Sequence, residues 1–361
     1  MADFPVSIRD VDASWITETM RSAGELRNGA VTGFEIEPIG LGVGIMGLLY
    51  RLRLRYDAEG AGPASVVLKQ PTDGPGARHV AEIFRFYEKE VGFYRDFAAH
   101  SPFVTPTCFV ARHDSATDDF VLLLADVTDG QVHSQIDGCP PDAAHLAARA
   151  LARHHAAFAD SPRFAEPGNA WLPFASDSPT PEGVIQGVAD ARGPFREKFP
   201  EHATPELEAL LDRYLESVHD LITDREGRPI TLAHGDYRLD NLFFHADGDL
   251  TVIDWQICAK TGFAYDLGYF MSQSLTVEAR RTHEPAVISS YLEELERCGF
   301  HHDREDFIED YRRTVMFCLC YPIQSGSVEL VNDRARELVS DMFVRSMAAI
   351  EDHDATEFLV G

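Results

Sequence analysis

The sequence has 361 residues, which is long for a single hydrophobic core, so we expect two domains or lobes. With 45% hydrophobic and 25% charged residues, its composition is that of an ordinary globular protein. The 59 Asp and Glu outnumber the 32 Lys and Arg, and the formal net charge of -27 argues against nucleic acid or an anionic membrane as main partner, because both would be repelled.

Neither the N-terminal segment nor the cysteines indicate secretion. The opening residues MADFPVSIRDVDASW contain an early acid and no apolar core, so we expect no signal peptide, and no apolar run reaches the length of a membrane span. The cysteines are scattered and form no C-x-x-C pair; they are Cys108, Cys139, Cys258, Cys298, Cys318 and Cys320. We therefore predict unpaired thiols, a cytoplasmic location and no zinc site.

Residues 1–127 read as a small lobe that contains a sheet and one main helix. A first helix is predicted from Trp15 to about Ala23, with Asp12 or Ser14 as its cap. In the arginine-rich strand that follows, Leu52 and Leu54 alternate with arginines and should face one side of the sheet. The segments predicted as strands are 33–39, 50–56, 64–71, 108–112 and 119–127, and residues 75–97 are predicted as one long helix.

Residues 128–361 read as a larger, mostly helical lobe. Asp142 is predicted to cap an alanine-rich helix that ends at Phe158, and Thr204-Pro205-Glu206 is a start signal for a helix to Ile222. A strand-rich segment, Thr231 to Asp254, interrupts the helices. The pattern predicts an α+β fold with two lobes.

The glycines Gly42, Gly44 and Gly47 form the pattern G-x-G-x-x-G within GLGVGIMGLLYRLRLRY. A dinucleotide-binding turn would need a helix after these glycines, but the alternating residues that follow predict a strand. There is also no Lys-Ser/Thr after Gly47, as a Walker A loop requires. A glycine turn between two strands that covers nucleotide phosphates is the kinase arrangement, and a plain turn remains the alternative.

Lysine is rare in this sequence, and one of its four lysines, Lys69, ends the apolar strand SVVLK. A charge at this position must be paired with an opposite charge or serve a function. Kinases place a lysine there to hold the α- and β-phosphates, oriented by a glutamate of the next helix. We favour Glu90 as this partner, with Glu82 as the second choice. A strand-end lysine that reaches water is the alternative.

The segment TLAHGDYRLDNLFFHADGDLTVIDWQ carries the strongest catalytic signal. Asp247-Gly248 predicts a hairpin turn between two short strands. If these strands pair, Asn241 at the entry and Asp254 at the exit lie together, and an amide oxygen with a carboxylate suits Mg²⁺. Asp236, one short loop upstream, is placed to take the proton of a hydroxyl as phosphate transfers to it.

Arg238 follows this base by two residues and is predicted to steady the transferred phosphate, with a solvated loop arginine as the alternative. His234, Asp236 and Asn241 have the spacing of the kinase loop H-R-D-x-x-x-x-N. We interpret His234 as structural. Asp266, in AYDLGYF, is expected to be a buried acid that holds this loop in place, with capping of a helix as the alternative.

The motifs HGDYRLDN, VIDWQ and DLGYF, with VVLK and EKEVGFY upstream, resemble the aminoglycoside phosphotransferase/choline kinase superfamily, in particular its ecdysteroid-kinase-like branch. The resemblance runs from about Ile39 to Phe270. It implies a two-lobed protein-kinase-like fold that uses MgATP, or GTP in some members, to phosphorylate a hydroxyl of a small molecule.

Carried over residue by residue, the resemblance makes Lys69 and Glu90 nucleotide anchors, Asp236 the base, and Asn241 and Asp254 the metal ligands. LLLADV is similar to the lobe hinge LLLEDL, whose backbone grips the adenine, which implies nucleotide contacts at Leu124 and Asp126; Ala125 replaces the usual glutamate. LARHHAAF is similar to a family helix in which His155 matches a packing histidine.

Three other functions compete with this one. A protein kinase is disfavoured because Gly235 replaces the arginine of H-R-D and no A-P-E segment follows. A metallophosphatase would need several convergent His and Asp ligands, and would leave Lys69 without a purpose. A non-catalytic nucleotide-binding scaffold is the serious alternative, and turnover of MgATP would distinguish it from an enzyme.

The sequence does not name the phosphate acceptor. Candidate contacts in the C-terminal helices are Tyr321, Gln324, Glu329 and Asp352, each with surface placement as its alternative. An aminoglycoside would favour an acidic pocket and a lipid, steroid or acyl thioester an apolar one. The apolar segment RRTVMFCLCYP favours the second class slightly. The oligomeric state is open.

Overall fold

A computed structural model describes residues 3–40, 46–327, 330 and 332–361 of the chain. The chain divides into two compact units. The first, here the sheet unit, contains the described residues up to His100 together with Val104–Gly130 and Val252–Ile257. The second, the helical unit, contains Ser101–Phe103, Gln131–Thr251 and the described residues from Cys258 onward. The predicted lobe boundary after residue 127 stays a prediction.

The sheet unit contains five antiparallel strands in the order β1-β2-β3-β5-β4. They are β1 Val31–Ile39, β2 Gly47–Tyr56, β3 Ser65–Pro71, β4 Cys108–Asp114 and β5 Asp119–Ala125. All five predicted strands are confirmed, including the hairpin β4–β5. Leu52 and Leu54 are buried while the arginines on either side of Leu54 are exposed, so the predicted alternation of β2 is also correct.

Helix α1, Ala13–Ser22, packs on β1. The carboxylate of Asp12 accepts from the backbone N–H of Trp15, so Asp12 is the cap, as one of the two predicted choices. The buried face of α1 carries Ile16 and Met20, which join one apolar core with Leu52 and Leu54 of β2. That core occupies one face of the sheet.

The prediction of one continuous helix over residues 75–97 is wrong. Helix α2, Pro75–Ile83, ends at Phe84, and helix α3, Phe86–Gly92, begins after Arg85 and runs into a π-helical turn, Phe93–Phe97. Arg85 has φ 55° in the left-handed region, which interrupts the α-helical hydrogen bonds. The periodicity of apolar residues continues across the break, and for that reason the sequence pattern alone does not reveal it.

Among its described residues, the helical unit contains eight α-helices: α4 Pro141–Ala157, α5 Thr180–Lys198, α6 Pro205–Leu221, α7 Tyr265–Ser274, α8 Val277–Arg297, α9 Arg304–Phe317, α10 Cys320–Ser325 and α11 Asp333–Asp352. The start signal of α6 is confirmed, because Thr204 Oγ1 accepts from the backbone N–H of Leu207. The predicted cap of α4 is wrong, since Asp142 lies within the first turn and Pro140 holds the cap position.

Two short ladders position the loops of the helical unit. Strand β6, Ile230–Ala233, pairs antiparallel with β9, Ala259–Gly262, and β7, Leu242–Phe244, pairs with β8, Leu250–Val252. The predicted hairpin at Asp247-Gly248 is confirmed, with Gly248 at φ 91° in the left-handed conformation such a turn uses. Among the described residues, no helix combines the length and apolar character needed to cross a membrane.

Candidate active site

Lys69 lies in the middle of a buried ion cluster in the sheet unit. Its register pairs it with Leu49 of β2 and Leu122 of β5, so the side chain leaves the centre of the sheet. Lys69 Nζ is 2.6 Å from Glu90 Oε2 on α3 and 2.9 Å from Asp254 Oδ1. Of the two glutamates that the sequence left open, Glu90 therefore makes the ion pair.

The charges of this cluster stabilise one another. Burial opposes the positive charge of Lys69, but the carboxylates of Asp254 and Glu90 outweigh it and raise the pKa of the ammonium above its ordinary value. Burial also raises the pKa of Glu90, to about 7, although the Lys69 charge acts in the opposite direction. A paired ammonium at a buried strand centre is an arrangement that can hold phosphate oxygens.

Asp254 is held by its neighbours in the chain. It has φ 67°, a left-handed conformation that aspartate tolerates better than most residues. The next residue, Trp255, is fully buried and stacks on Phe93 with ring centroids 3.5 Å apart and an interplanar angle of 4°. This stacking anchors the segment, so the carboxylate of Asp254 reaches Lys69 while its side chain stays 28% exposed.

In the helical unit, the loop after β6 is fastened by Asp266 in the first turn of α7. The buried Asp266 carboxylate accepts from the backbone N–H groups of His234 at 2.7 Å and Gly235 at 2.9 Å. His155 Nε2 lies 3.0 Å from the same carboxylate, and its other ring nitrogen lies 2.6 Å from the Tyr291 hydroxyl. The expectation that Asp266 holds the loop is confirmed, and His155 acts through hydrogen bonds as well as packing.

Gly235 has φ 90°, a backbone conformation that favours glycine. The next residue is Asp236. The backbone N–H of Asp236 donates to Nδ1 of His234 at 3.1 Å, so the histidine shapes the loop, as its structural interpretation requires.

Both oxygens of the Asp236 carboxylate accept hydrogen bonds. Asn241 Nδ2 donates to Oδ2 at 3.0 Å, and the hydroxyl of Tyr269 donates to Oδ1 at 2.9 Å. Asn241 Nδ2 also donates to the backbone oxygen of Asp236 at 2.8 Å. The contact from Tyr269 was missed by the sequence reasoning, although Tyr269 lies within the quoted motif DLGYF. Its signal is the spacing of three residues from Asp266 on one helix, which puts both side chains on the same face.

The predicted magnesium ligands fit the ion chemically. Because the amide nitrogen of Asn241 is taken by Asp236, its amide oxygen is the atom left to face another partner. An amide oxygen and a carboxylate are hard ligands of the kind Mg²⁺ binds, and this ion commonly takes one or two protein ligands together with water and phosphate. In the part of the chain that the structure describes, no group of three or more His, Cys, Asp or Glu is gathered as a metal centre.

Three other predicted site residues have defined surroundings. Arg238 Nε lies 3.5 Å from Asp236 Oδ1, and its Nη2 lies 3.2 Å from Asp240 Oδ2, so this arginine stays beside the predicted base. The carboxylate of Asp126 accepts from Arg51 Nε and Ser65 Oγ, each at 2.6 Å, and is therefore used inside the sheet unit. Leu124 lies in β5 and is buried.

The glycine loop is described only in part. Gly42 and Gly44 lie outside the described residues, so their predicted contact with phosphates stays a prediction. Gly47 begins β2 opposite Pro71. A Cβ atom at Gly47 would lie 3.3 Å from both the backbone oxygen of Gln70 and Cε of Lys69. This close approach to the lysine is a reason for glycine at the position.

The candidate acceptor residues have different environments. Tyr321 points its hydroxyl toward the backbone oxygen of Gly235, at 3.4 Å, and pairs with the Tyr265 hydroxyl. Gln324 lies against Gly187 of α5, and the carboxylate of Asp352 is bound by Arg280 and Arg281. Glu329 lies outside the described residues.

The apolar segment RRTVMFCLCYP spans the end of α9 and the start of α10. Its apolar side chains are buried in the core of the helical unit: Val315, Met316, Phe317, Cys318, Leu319 and Cys320. They stabilise α9 and the start of α10, so core packing explains why the segment is apolar; the slight preference for an apolar acceptor stays a prediction.

The fold is that of protein-kinase-like small-molecule phosphotransferases, which confirms the predicted α+β, two-lobed class. A choline kinase from Cryptosporidium parvum Iowa II is similar over 96% of this chain and 98% of its own, with a TM-score of 0.56 and 12% identity. The GDP complex of a wild-type aminoglycoside 2'-phosphotransferase-IIIa covers 96% of this chain and 100% of its own, with a TM-score of 0.51 and 15% identity. An ethanolamine kinase from Plasmodium vivax is similar over 89% of this chain and 82% of its own, with a TM-score of 0.50 and 16% identity.

The chain belongs to the ecdysteroid kinase-like family, whose model matches residues 42–301. This confirms the family branch to which the sequence motifs pointed. No match is found among curated proteins.

Proposed function

We propose that the protein transfers the γ-phosphate of MgATP to a hydroxyl group of a small organic acceptor. The observation that carries this proposal is Asp236, a half-buried carboxylate held at both oxygens on a loop fastened by Asp266. A carboxylate fixed in this way is suited to orient a hydroxyl and to take its proton. The family membership of the chain supports the same reaction class.

The proposed roles follow from the chemistry of each residue. Lys69, kept in place by Glu90, would hold oxygens of the α- and β-phosphates, and Gly42, Gly44 and Gly47 would cover the phosphates. The backbone near Leu124 and Asp126 would contact the adenine. Asn241 and Asp254 would each offer one oxygen to Mg²⁺, which when bound neutralises negative charge on the phosphates.

In the transfer step, the acceptor oxygen forms a bond to the γ-phosphorus as the bond from that phosphorus to the bridging oxygen breaks. The bonding pair leaves with the bridging oxygen of ADP, and the proton of the acceptor hydroxyl goes to the Asp236 carboxylate. Arg238, beside Asp236, would stabilise negative charge on the transferred group. A cytoplasmic location remains part of this proposal. The preference between ATP and GTP is open, and the GDP complex of a structural neighbour makes GTP a nucleotide to test.

Two measurements test the proposal. An ATP- and GTP-consumption screen over aminoglycosides, choline-like amines, sugars, macrolides, sterols and hydroxyacyl thioesters should find an acceptor. With that acceptor, Asp236→Ala should lower turnover by roughly 10²–10⁴-fold, because the base is lost, while the dissociation constant of MgATP stays close to that of the wild type.

The competing function is a non-catalytic nucleotide-binding scaffold. Such a protein would bind MgATP in calorimetry and would show no consumption with any acceptor or with water. Near-normal turnover in Asp236→Ala would instead leave the enzyme class standing and remove Asp236 as the base.

A further inference from the structure

The side chain of Tyr269 contacts Asp236, the predicted base. It projects from the same face of α7 as Asp266, which holds the loop that carries Asp236. Tyr269 lies three residues after Asp266 on α7, so the two side chains project from neighbouring turns. Asp266 fixes the backbone at His234 and Gly235, and Tyr269 donates to the carboxylate of the next residue, Asp236, at 2.9 Å. One helix therefore sets both the backbone and the side chain of this loop.

Two donors fix the rotation of the Asp236 carboxylate. The torsion that turns a carboxylate about its last bond is soft, so one hydrogen bond leaves much of its freedom. Asn241 holds Oδ2 and Tyr269 holds Oδ1, and together they define the plane of the group. Each carboxylate oxygen has two lone pairs; Arg238 Nε also lies 3.5 Å from Oδ1, so the second lone pair of Oδ2 is the one left for the acceptor hydroxyl.

The Tyr269 ring is itself held in place. It is 2% exposed and packs against the ring of Tyr321, with centroids 4.5 Å apart. The hydroxyl of Tyr321 lies 3.4 Å from the backbone oxygen of Gly235 and pairs with Tyr265, so its position is fixed from the same loop. Burial, with the neighbouring Asp236 carboxylate, raises the pKa of Tyr269 well above its ordinary value, and the phenol therefore remains a donor.

We propose that Tyr269 is the positioning residue for Asp236: its hydroxyl holds the carboxylate in the orientation that receives the acceptor's proton. The inference rests on the proposed function, because it assigns Asp236 the role of base. Tyr269 contacts the base and not the reacting atoms, so its loss should lower the rate of transfer and spare nucleotide binding.

The first test measures the contact without any turnover. Asp236→Ala, Tyr269→Phe and the double variant form a cycle of urea unfolding experiments. The contact should couple the two residues by about 10-fold in the unfolding equilibrium constant, as expected for a hydrogen bond to a charged group. Additive effects would overturn the contact.

The second test measures the rate. Phosphate release from MgATP, with water as acceptor, should show a kcat about 10- to 100-fold lower in Tyr269→Phe, the range that a misplaced catalytic group produces. The KM for MgATP should stay within about threefold. In the Asp236→Ala background, Tyr269→Phe should cause no further loss, because no base remains to be positioned.

Tyr214→Phe is the matched control. Tyr214 is equally buried, and its hydroxyl donates to the backbone oxygen of Phe317 at 2.8 Å, so the variant removes a comparable hydrogen bond elsewhere in the helical unit. Its kcat should equal that of the wild type. An unchanged kcat in Tyr269→Phe, or an equal loss in both variants, overturns the positioning role alone. A wild type that binds MgATP without turnover overturns the proposed function, and the positioning role with it, while the unfolding cycle still reports the contact.

Discussion

At the scale of single residues, Asp266 illustrates how a buried charge can be retained. Its carboxylate is fully buried, which alone would cost several kcal/mol. The two backbone N–H groups and His155 supply hydrogen bonds to the charged form. Burial raises the pKa of Asp266, but the hydrogen bond and charge of His155 outweigh it and leave this pKa below its ordinary value.

A lowered pKa has a definite consequence for stability. The contribution of Asp266 is fully present above the pKa of the unfolded state, about 3.9, and is lost as the pH falls through the lower pKa of the folded state. Asp266→Asn removes the charge, so it should lower the free energy of unfolding at pH 7 by about 3–5 kcal/mol. Urea unfolding at several pH values should show the gap between variant and wild type shrinking below about pH 4.

Asp310→Asn is a control for which the stability difference from the wild type should change with pH in the opposite direction. Asp310 is also buried, but burial raises the pKa of its carboxyl above the ordinary value despite the contact with Arg225. The wild type therefore gains stability relative to Asp310→Asn as the pH falls. If the differences in free energy of unfolding between the wild type and each of the two variants change in the same direction with pH, the assignment of the buried charge to Asp266 fails.

At the scale of secondary structure, α7 is the element that holds the loop carrying Asp236. It is buried along nearly its whole length and packs against α9 and α11. Gly268, between Asp266 and Tyr269, lets α9 approach closely: a Cβ atom there would lie 2.7 Å from Cγ2 and 3.0 Å from Cβ of Thr314. Thr314 is β-branched and stiff, so it cannot easily move away.

Gly268→Ala should therefore lower the free energy of unfolding by about 1–3 kcal/mol, because overpacking outweighs the better helix propensity of alanine. Adding Thr314→Ser removes the clashing methyl group and keeps the hydroxyl, so the double variant should recover most of the loss. Urea unfolding of the two variants measures this. A Gly268→Ala protein as stable as the wild type would show that α7 and α9 can separate at no cost.

Sequence patterns predicted the elements wherever local signals agree with packing. The strands around Lys69, the hairpin at Asp247-Gly248 and the cap at Thr204 have such signals, and all three are correct. The break at Arg85 was not predictable, because a left-handed arginine is uncommon and leaves the apolar periodicity intact. Likewise, the apolar run in α9 indicates burial, and only the fold decides what it is buried against.

At the scale of the whole molecule, the predicted site residues are far apart in sequence, with Lys69 and Glu90 in the sheet unit and Asp236 in the helical unit. Lys69, Glu90 and Asp236 could be found because each lies in a motif with a chemical rationale. Tyr269 lies in the motif DLGYF, three residues from Asp266, but its hydrogen bond to Asp236, 33 residues away, could not be found, since that contact arises from the way α7 meets the loop. Roles that require a bound nucleotide stay proposals, those of Gly42 and Gly44 among them.

Nucleotide binding should stabilise the molecule by mass action, and this tests the role of Lys69. At a free MgATP concentration of 100 times its dissociation constant, the wild type should gain about 2.7 kcal/mol in its free energy of unfolding. Lys69→Met should lose this gain, because the phosphates lose their cation. Chemical unfolding with and without MgATP measures the gain in each variant separately. This comparison removes the cost of leaving Glu90 and Asp254 without Lys69.

Lys260→Met is the matched control, since Lys260 is one of the few other lysines and its ammonium lies 4.0 Å from the ring centroid of Phe174 in the helical unit. It should keep the full gain from MgATP. Removing Mg²⁺ with EDTA should reduce the wild-type gain, because the charge of the phosphates is then left to the protein's own cations. An equal gain in Lys69→Met and Lys260→Met would mean that the buried ion cluster stabilises the sheet unit and that the nucleotide binds without it.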